Sequence, residues 1–312
     1  MEQRIEGARL RSLVSRARGL RRPEPAGVDV AEGAEPSAGD AYVTVIESST
    51  PRTHVELREL WRARDLAFAF AWRDVKVRYK QSLVGIGWAI LQPLLTMVVF
   101  TIIFGKFAQL PSQGQHYQVF VYTGLLPWAF FSTALTQIST SVMSNRALVQ
   151  KVYFPRLILP ISGILVPAVD FLCSISVLAG LMVWYHVGVT SRVLLAPVFL
   201  LLLAVTALGV GAVLATINAR YRDVPYAIPF LIQIWLFLSP VIYASRALPH
   251  KWQLIISFNP VVAAISGFRW SVLGTPGPTA LELGAGLPAA VVILYVGFRV
   301  YRSWESRFAD TI

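Results

Sequence analysis

The sequence has little charge, one cysteine and no nucleotide-binding motif, and each shortage excludes a class of protein. Charged residues make up 14% of the 312 residues, against about 25% in soluble domains, so a water-soluble fold would lack polar side chains for its surface. Cys173 is the only cysteine, which excludes a disulfide within the chain and a zinc site built from cysteines. No G-x-x-x-x-G-K-[ST] sequence occurs, so the chain has no P-loop to bind ATP.

Acidic side chains are also sparse, and this argues against a membrane-embedded glycosyl or phosphoryl transferase. Such an enzyme would need paired carboxylates or a metal site at the bilayer edge. Asp74, Asp223 and Glu282 stand apart, and neither D-x-D nor H-x-x-x-H occurs. We therefore predict no catalytic residue and no metal site, and we interpret the chain as a protein other than an enzyme.

Apolar residues are abundant, at 55% of the chain, and they come in long uncharged blocks. A membrane-spanning helix needs about 20 such residues. The sequence predicts an all-α integral membrane protein with six transmembrane helices, at about 83–106, 118–141, 158–185, 193–218, 225–245 and 283–301. The apolar stretch 252–268 is short and contains the Asn259-Pro260 break, so we expect re-entrant helices between spans five and six.

The distribution of Lys and Arg predicts the topology, because cytoplasmic loops collect these residues. Most of them fall on the side that holds the segment before span one, the loops after spans two and four, and the end of span six. Both termini are therefore predicted to be cytoplasmic. This topology also accounts for the net charge of +11, so we expect membrane lipids as partners and no nucleic acid.

The segment before span one divides into two parts. Residues 1–53 hold much Pro, Gly, Ala and Ser in their second half and are predicted to be a mobile cytoplasmic tail. Residues 54–81 have helical periodicity with an aromatic stripe and a basic stripe, which indicates an amphipathic helix in the plane of the membrane interface. Its candidate membrane-contacting residues are Trp61, Phe68, Trp72, Arg73, Lys76, Arg78 and Lys80.

Several short blocks, in the right order from about residue 57 onward, give the chain a family resemblance. They are Trp72-Arg73-Asp74-Val75-Lys76-Val77-Arg78-Tyr79-Lys80-Gln81, Leu91-Gln92-Pro93-Leu94, Lys151-Val152-Tyr153-Phe154-Pro155-Arg156, Tyr221-Arg222-Asp223-Val224, Ser239-Pro240-Val241-Ile242-Tyr243 and Asn259-Pro260. Together these blocks resemble ABC-2 type permeases, in the subgroup that exports O-antigen, capsule and teichoic acid. Residues 82–312 would then form the ABC-2 transmembrane domain.

The resemblance implies a function and a set of partners. The chain would be the permease subunit of an ATP-binding-cassette exporter that moves a lipid-linked, O-antigen-like polysaccharide across the bacterial inner membrane. Capsule or teichoic acid export is the alternative, and a drug or small-lipid exporter of the same superfamily is a further one. The exporter would pair two copies of this chain with two ATPase subunits, which would bind ATP and Mg²⁺.

An exporter without its own P-loop must receive force from the ATPase through its inner loops. The 145–156 loop is basic, aromatic and short, and the resemblance implies a coupling helix here. An ordinary positive-inside loop would have the same composition. The loop after span four admits the same two interpretations. The candidate coupling residues are Asn145, Arg146, Lys151, Val152, Tyr153, Phe154, Pro155, Arg156, Arg220, Arg222 and Asp223.

Two further features of the spans have alternative explanations. Asp170 lies near the middle of span three, where a charge is costly, so we predict a structural partner or a functional role. Aromatic side chains within spans suit the apolar faces of sugar rings, although aromatic residues also face lipid. The candidate conduit aromatics are Trp88, Tyr122, Trp128, Phe131, Phe230, Trp235 and Phe237.

Overall fold

A computed structural model describes residues 61, 63–80, 87–151, 154–221, 223–305 and 307–308. The predicted tail, residues 1–53, lies outside the described residues, as do 54–60 at the start of the predicted interfacial helix. Every regular element of the described part is a helix. The predicted all-α class is therefore confirmed.

The helices are numbered here in chain order. They are α1 (Arg64–Lys80), α2 (Gly87–Phe100), a π-helix (Thr101–Phe107), α3 (Tyr117–Ser144), α4 (Arg146–Lys151), α5 (Ile158–Ser162), α6 (Leu165–Trp184), a 3₁₀ helix (Ser191–Leu195), α7 (Ala196–Arg220), α8 (Val224–Phe237), a 3₁₀ helix (Ser245–Ala247), α9 (His250–Ser257), α10 (Pro260–Leu273) and α11 (Ala280–Glu305).

Five helical stretches in the described part of the chain are long and apolar enough to cross a bilayer. They are Gly87–Phe107, Tyr117–Ser144, Ile158–Trp184, Ser191–Arg220 and Ala280–Glu305. Each covers a stretch that the sequence predicts as a span. The bent pair α9 and α10 brings the number to six if it counts as one span. The prediction of an integral membrane protein with several spanning helices is therefore confirmed.

The fifth predicted span differs from the structure. We expected one helix over 225–245, but α8 ends at Phe237 and has 14 residues. At 1.5 Å per residue it is about 21 Å long, short of the roughly 30 Å hydrocarbon core. Pro240 follows shortly after and lacks the N–H that a continuing helix would use. Hydropathy alone did not show the break, because the residues on both sides of it are apolar.

Helices α9 and α10 form the bent pair where the sequence predicts the re-entrant element. They meet at an angle of 103°. Asn259 begins α10 because its side-chain oxygen accepts a hydrogen bond from the backbone N–H of Val261, at 3.1 Å, and Pro260 occupies the first helical position, where no N–H is needed. Gly274 ends the helix with a φ of +67°, a conformation that favours glycine.

The core is built around α3, which packs chiefly against α7, α6 and α10. Tyr122 and Phe131 of α3 are fully buried. In contrast, α2 has Met97 as its one buried side chain and α8 has Ile228. These two helices therefore leave most of their apolar surface uncovered by the described residues.

Helices α7 and α11 cross at two glycines. A β-carbon added to Gly297 would lie 2.1 Å from the carbonyl oxygen of Gly209, and one added to Gly209 would lie 2.7 Å from the backbone of Ile293. Small residues at such crossings let membrane helices approach closely, and the close approach strengthens the van der Waals contacts between them. The described backbone at this crossing has no room for a side chain.

Candidate functional site

The predicted coupling loop is held by the last helix. The Arg156 backbone N–H donates to Glu305 Oε1 at 3.0 Å, and the Arg156 guanidinium donates to the backbone oxygen of Glu305. The Tyr301 hydroxyl donates to the backbone oxygen of Arg156 at 3.0 Å. Residue 156 is therefore fixed at both its backbone N–H and its backbone oxygen.

Helix α1 holds the other side of the same loop. The ring of Phe154, which is buried, packs against Phe70 with centroids 5.7 Å apart. The Arg73 guanidinium donates to the side-chain oxygen of Asn145 at 2.7 Å, while the Asn145 amide donates to the Ser141 backbone oxygen at 2.8 Å. The loop thus begins and ends on side chains that bind α1.

Pro155 leads directly into α5, since its carbonyl oxygen accepts the Ile158 N–H at 3.1 Å. The exposed charged residues in the described part of the loop are Arg146 and Lys151, at the two ends of α4. Val152 and Tyr153 lie outside the described residues. The structure therefore shows α4 as a short helix with exposed basic residues, and the residues that flank it contact α1 and α11. Such a surface could contact another protein.

The loop after α7 joins the same end of the bundle through one residue. The Arg220 guanidinium lies over the Trp304 ring, 5.4 Å from its centroid, and over Tyr221, at 5.3 Å. Asp223 is exposed, and Arg222 lies outside the described residues. The structure thus links Arg220 to α11, and the two interpretations of this loop stay open.

Asp170 has partners in α1. Its Oδ2 lies 2.8 Å from the Arg78 guanidinium, and its Oδ1 accepts a hydrogen bond from the Tyr79 hydroxyl. Burial and the neighbouring Asp170 raise the pKa of Tyr79 above its ordinary value of 10.0, so Tyr79 stays neutral and donates. Asp170 lies in the second turn of α6, close to the midpoint of the Ile158–Trp184 stretch, as the sequence predicts. This carboxylate therefore anchors the last turn of α1.

The two stripes predicted on the interfacial helix have different surroundings. Trp61, Phe68 and Trp72 are exposed, and the last two rings stack with centroids 6.1 Å apart. The inward face is instead made by small or aliphatic residues such as Ala71 and Val75. Tyr79 is half-buried and, like Val75, faces the bundle, so neither belongs to the exposed aromatic stripe. The predicted basic residues Arg73, Lys76, Arg78 and Lys80 are all exposed.

The candidate conduit aromatics fall into two groups. Tyr122, Trp128 and Phe131 are buried in the core of the chain, so they offer no surface to a conduit and are removed from that hypothesis. Trp235 is half-buried against Phe131, with centroids 5.0 Å apart. The exposed members are Trp88, Phe230 and Phe237.

One buried arginine escaped the sequence analysis. Arg269 of α10 is 3% exposed, and its Nη1 and Nη2 donate to the backbone oxygens of Pro240 and Val241 at 3.1 and 2.9 Å. Its guanidinium lies 3.8 Å from the Phe120 ring centroid. The signal was in the sequence, because a charge within an apolar stretch needs partners.

The described residues form no group of three or more metal-ligating side chains.

Comparison with known proteins gives consistent similarities. The family model described as ABC-2 type transporter matches residues 65–273. The O-antigen export system permease protein RfbA of Klebsiella pneumoniae is 29% identical over 80% of this chain and 95% of that protein. RfbA of Myxococcus xanthus is 29% identical over 82% and 98%. The polysialic acid transport protein KpsM of Escherichia coli is 22% identical over 75% and 91%.

Proposed function

Because the chain belongs to the ABC-2 type transporter family, we propose that it is the permease subunit of an exporter that moves a lipid-linked, O-antigen-like polysaccharide out of the cytoplasm. The observation that carries this proposal is the similarity to O-antigen export permeases over 95–98% of their length. A relative named for polysialic acid transport, at 22% identity, makes capsule export the second candidate.

The energy for export would come from a separate ATPase, bound at the α1 end of the bundle. Two features support this placement. The 145–156 loop presents Arg146 and Lys151 outward, and its base is tied to α1 and α11 through Phe154 and Arg156. A push on such a loop would pass to both helices, because packed side chains and hydrogen bonds connect it to them.

The same end would be the cytoplasmic one. Arg73, Arg156 and Arg220 come from separate segments of the chain, and their contacts bring them to this end. A concentration of arginines at one end of a bundle is typical of the cytoplasmic side of a membrane protein. Helix α1 would then lie at the inner interface, with Phe68 and Trp72 in the headgroup region.

Two copies of the chain would form the conduit. Helices α2 and α8 each bury a single side chain against the rest of the chain, so they have apolar faces free for a second copy. The exposed aromatic residues Trp88, Phe230 and Phe237 lie on these two helices. Flat rings on the conduit wall would make weak, repeated contacts with successive sugars.

The experiment is deletion and complementation in the native bacterium. Loss of the gene should remove a surface polysaccharide and leave its lipid-linked precursor inside the cell, and the wild-type gene should restore the surface form. Extraction and gel analysis of both fractions would measure this, with drug susceptibility as the parallel readout. An unchanged surface glycan, together with altered drug susceptibility, would refute the proposal in favour of small-molecule export.

Coupling is tested separately with Arg146→Glu plus Lys151→Glu, which reverses the charge of exposed positions. We expect loss of ATPase binding in a pull-down while the permease itself folds normally. The matched control is Lys106→Glu plus Lys251→Glu, at exposed positions of the opposite end. Equal ATPase capture by both double variants would overturn the assignment of the coupling loop.

A further inference from the structure

A small cavity lies at the end of the bundle opposite α1, beside the C-terminal half of α10. Its volume is about 10 Å³, and Gln113, Ser266, Arg246, Arg269 and Thr275 are among the residues that line it. Two of the five are arginines, and no acidic residue lines the cavity. It is separate from the coupling loop, and the proposed transport function makes no use of it.

Two donors that line the cavity have no acceptor among the described residues. They are the Nε of Arg269 and the hydroxyl of Thr275. Both side chains are buried, at 3% and 4% exposure. The other two nitrogens of Arg269 are occupied by the carbonyl oxygens of Pro240 and Val241, so Nε is the donor that remains for a ligand.

The charge of Arg269 needs a counter-charge. Backbone carbonyl oxygens and the Phe120 ring provide only partial negative charge, and burying an uncompensated ion is costly. A second guanidinium, that of Arg246, borders the same cavity from its exposed side and adds like charge beside the first. The Arg246 side chain is held there by a hydrogen bond to the Gly277 oxygen at 2.8 Å. An anion between the two arginines would remove both penalties.

We propose that this cavity binds a small monovalent anion of the chloride class. The two donors without acceptors among the described residues and the absence of an acidic residue favour an anion, and the small volume of about 10 Å³, close to that of one water-sized particle, favours a single-atom ion over phosphate or carboxylate groups. The Arg269 Nε–H and the Thr275 hydroxyl donate to the anion, and Arg246 adds charge. The bound anion ties the end of α10 to the 240–247 segment.

The test is anion-dependent stability of the full-length chain in lipid-containing detergent. Chloride or bromide replaces gluconate at constant ionic strength, and the thermal unfolding midpoint is followed. For the wild type we expect the midpoint to rise and saturate with either halide, as ligand linkage requires. Thr275→Val keeps the side-chain shape and removes one donor, so about tenfold more halide should be needed for half-saturation. Arg269→Gln is unsuitable alone, because its carbonyl contacts serve the fold.

Thr96→Val is the matched control, since the Thr96 hydroxyl bonds to its own helix at Gln92; it should titrate like the wild type. Crystals grown in bromide should also give an anomalous peak between Arg269 and Thr275. Identical midpoints in chloride and gluconate, an unchanged half-saturation in Thr275→Val, or no bromide peak would each show that the cavity holds water only and would overturn the proposal.

Discussion

Gly297→Ala should separate two helices that touch through their backbones. The new β-carbon would lie 2.1 Å from the Gly209 carbonyl oxygen, 2.7 Å from its carbonyl carbon and 2.8 Å from its Cα. Non-bonded heavy atoms rest about 3.5 Å apart, so α7 and α11 must move apart by about 1 Å. The obstacle is backbone, which cannot rotate out of the way as a side chain can.

We expect Gly297→Ala to lower the stability of the folded chain by about 3 kcal/mol, the upper part of the range for overpacked cores. The loss is large because helices in lipid are held by close packing rather than by a hydrophobic driving force between them. Gly284→Ala is the control in the same helix. A β-carbon there meets nothing within 4 Å, and alanine favours the helix by about 0.5–1 kcal/mol.

The assay is thermal unfolding of the purified chain in detergent at one fixed scan rate, because membrane proteins often unfold irreversibly. Gly297→Ala should unfold several degrees below the wild type, and Gly284→Ala at or above it. If the two variants unfold at the same temperature, α7 and α11 do not meet at these glycines, and the packing argument is wrong.

Three further predictions concern α1 and its contacts. Arg78→Gln leaves the Asp170 carboxylate without its ion pair, and it should cost about 1–2 kcal/mol in the same unfolding assay. Phe154→Ala removes a buried ring that packs on Phe70, and it should cost about 3–5 kcal/mol. Folding raises the pKa of Tyr79 above its ordinary value of 10.0. The phenol therefore contributes its full stabilisation of the fold below pH 10.0, and this stabilisation is lost as the pH rises through the folded-state pKa. Tyr79→Phe should therefore narrow the stability difference between about pH 8 and about pH 11.

Each of these has a matched control at an exposed position. Lys76→Gln removes a charge from α1, Phe107→Ala removes a ring that is 82% exposed, and Tyr226→Phe alters a hydroxyl on a side chain that is 83% exposed. Controls that destabilise as much as Arg78→Gln or Phe154→Ala would contradict the contacts assigned here. A pH dependence in Tyr79→Phe equal to that of the wild type would contradict the role of its phenol.

The membrane-spanning helices were predictable because a bilayer imposes one requirement, about 20 apolar residues without charge. Tyr117–Ser144 meets it in full, and Ala280–Glu305 meets it less completely, with its charges near the two ends; both cover predicted spans. The break after Phe237 was not predictable from hydropathy, since Leu238, Val241 and Ile242 are apolar too. The signal that could have shown it is Ser239-Pro240, because proline disfavours helix at the residue before it.

Burial within the bundle could not be predicted in the same way. In water, an apolar side chain is expected inside; in lipid, the surroundings are as apolar as the core. Tyr122 and Phe230 therefore look alike in the sequence, although the first is fully buried and the second is 64% exposed. The pairing of Asp170 with Arg78 was equally hidden, because it joins residues far apart in the chain. That Asp170 needed a partner was predictable, and which partner was not.

The sparse packing of α8 has a consequence for how this protein can evolve. Ile228 is the one fully buried side chain of that helix, and Trp235 packs partly on Phe131, so selection for a stable protomer acts on few of its positions. Related chains should therefore differ freely along α8 wherever lipid is its neighbour. Positions on it that nevertheless keep one residue type across many species would mark where a neighbouring molecule, and not the fold, sets the requirement.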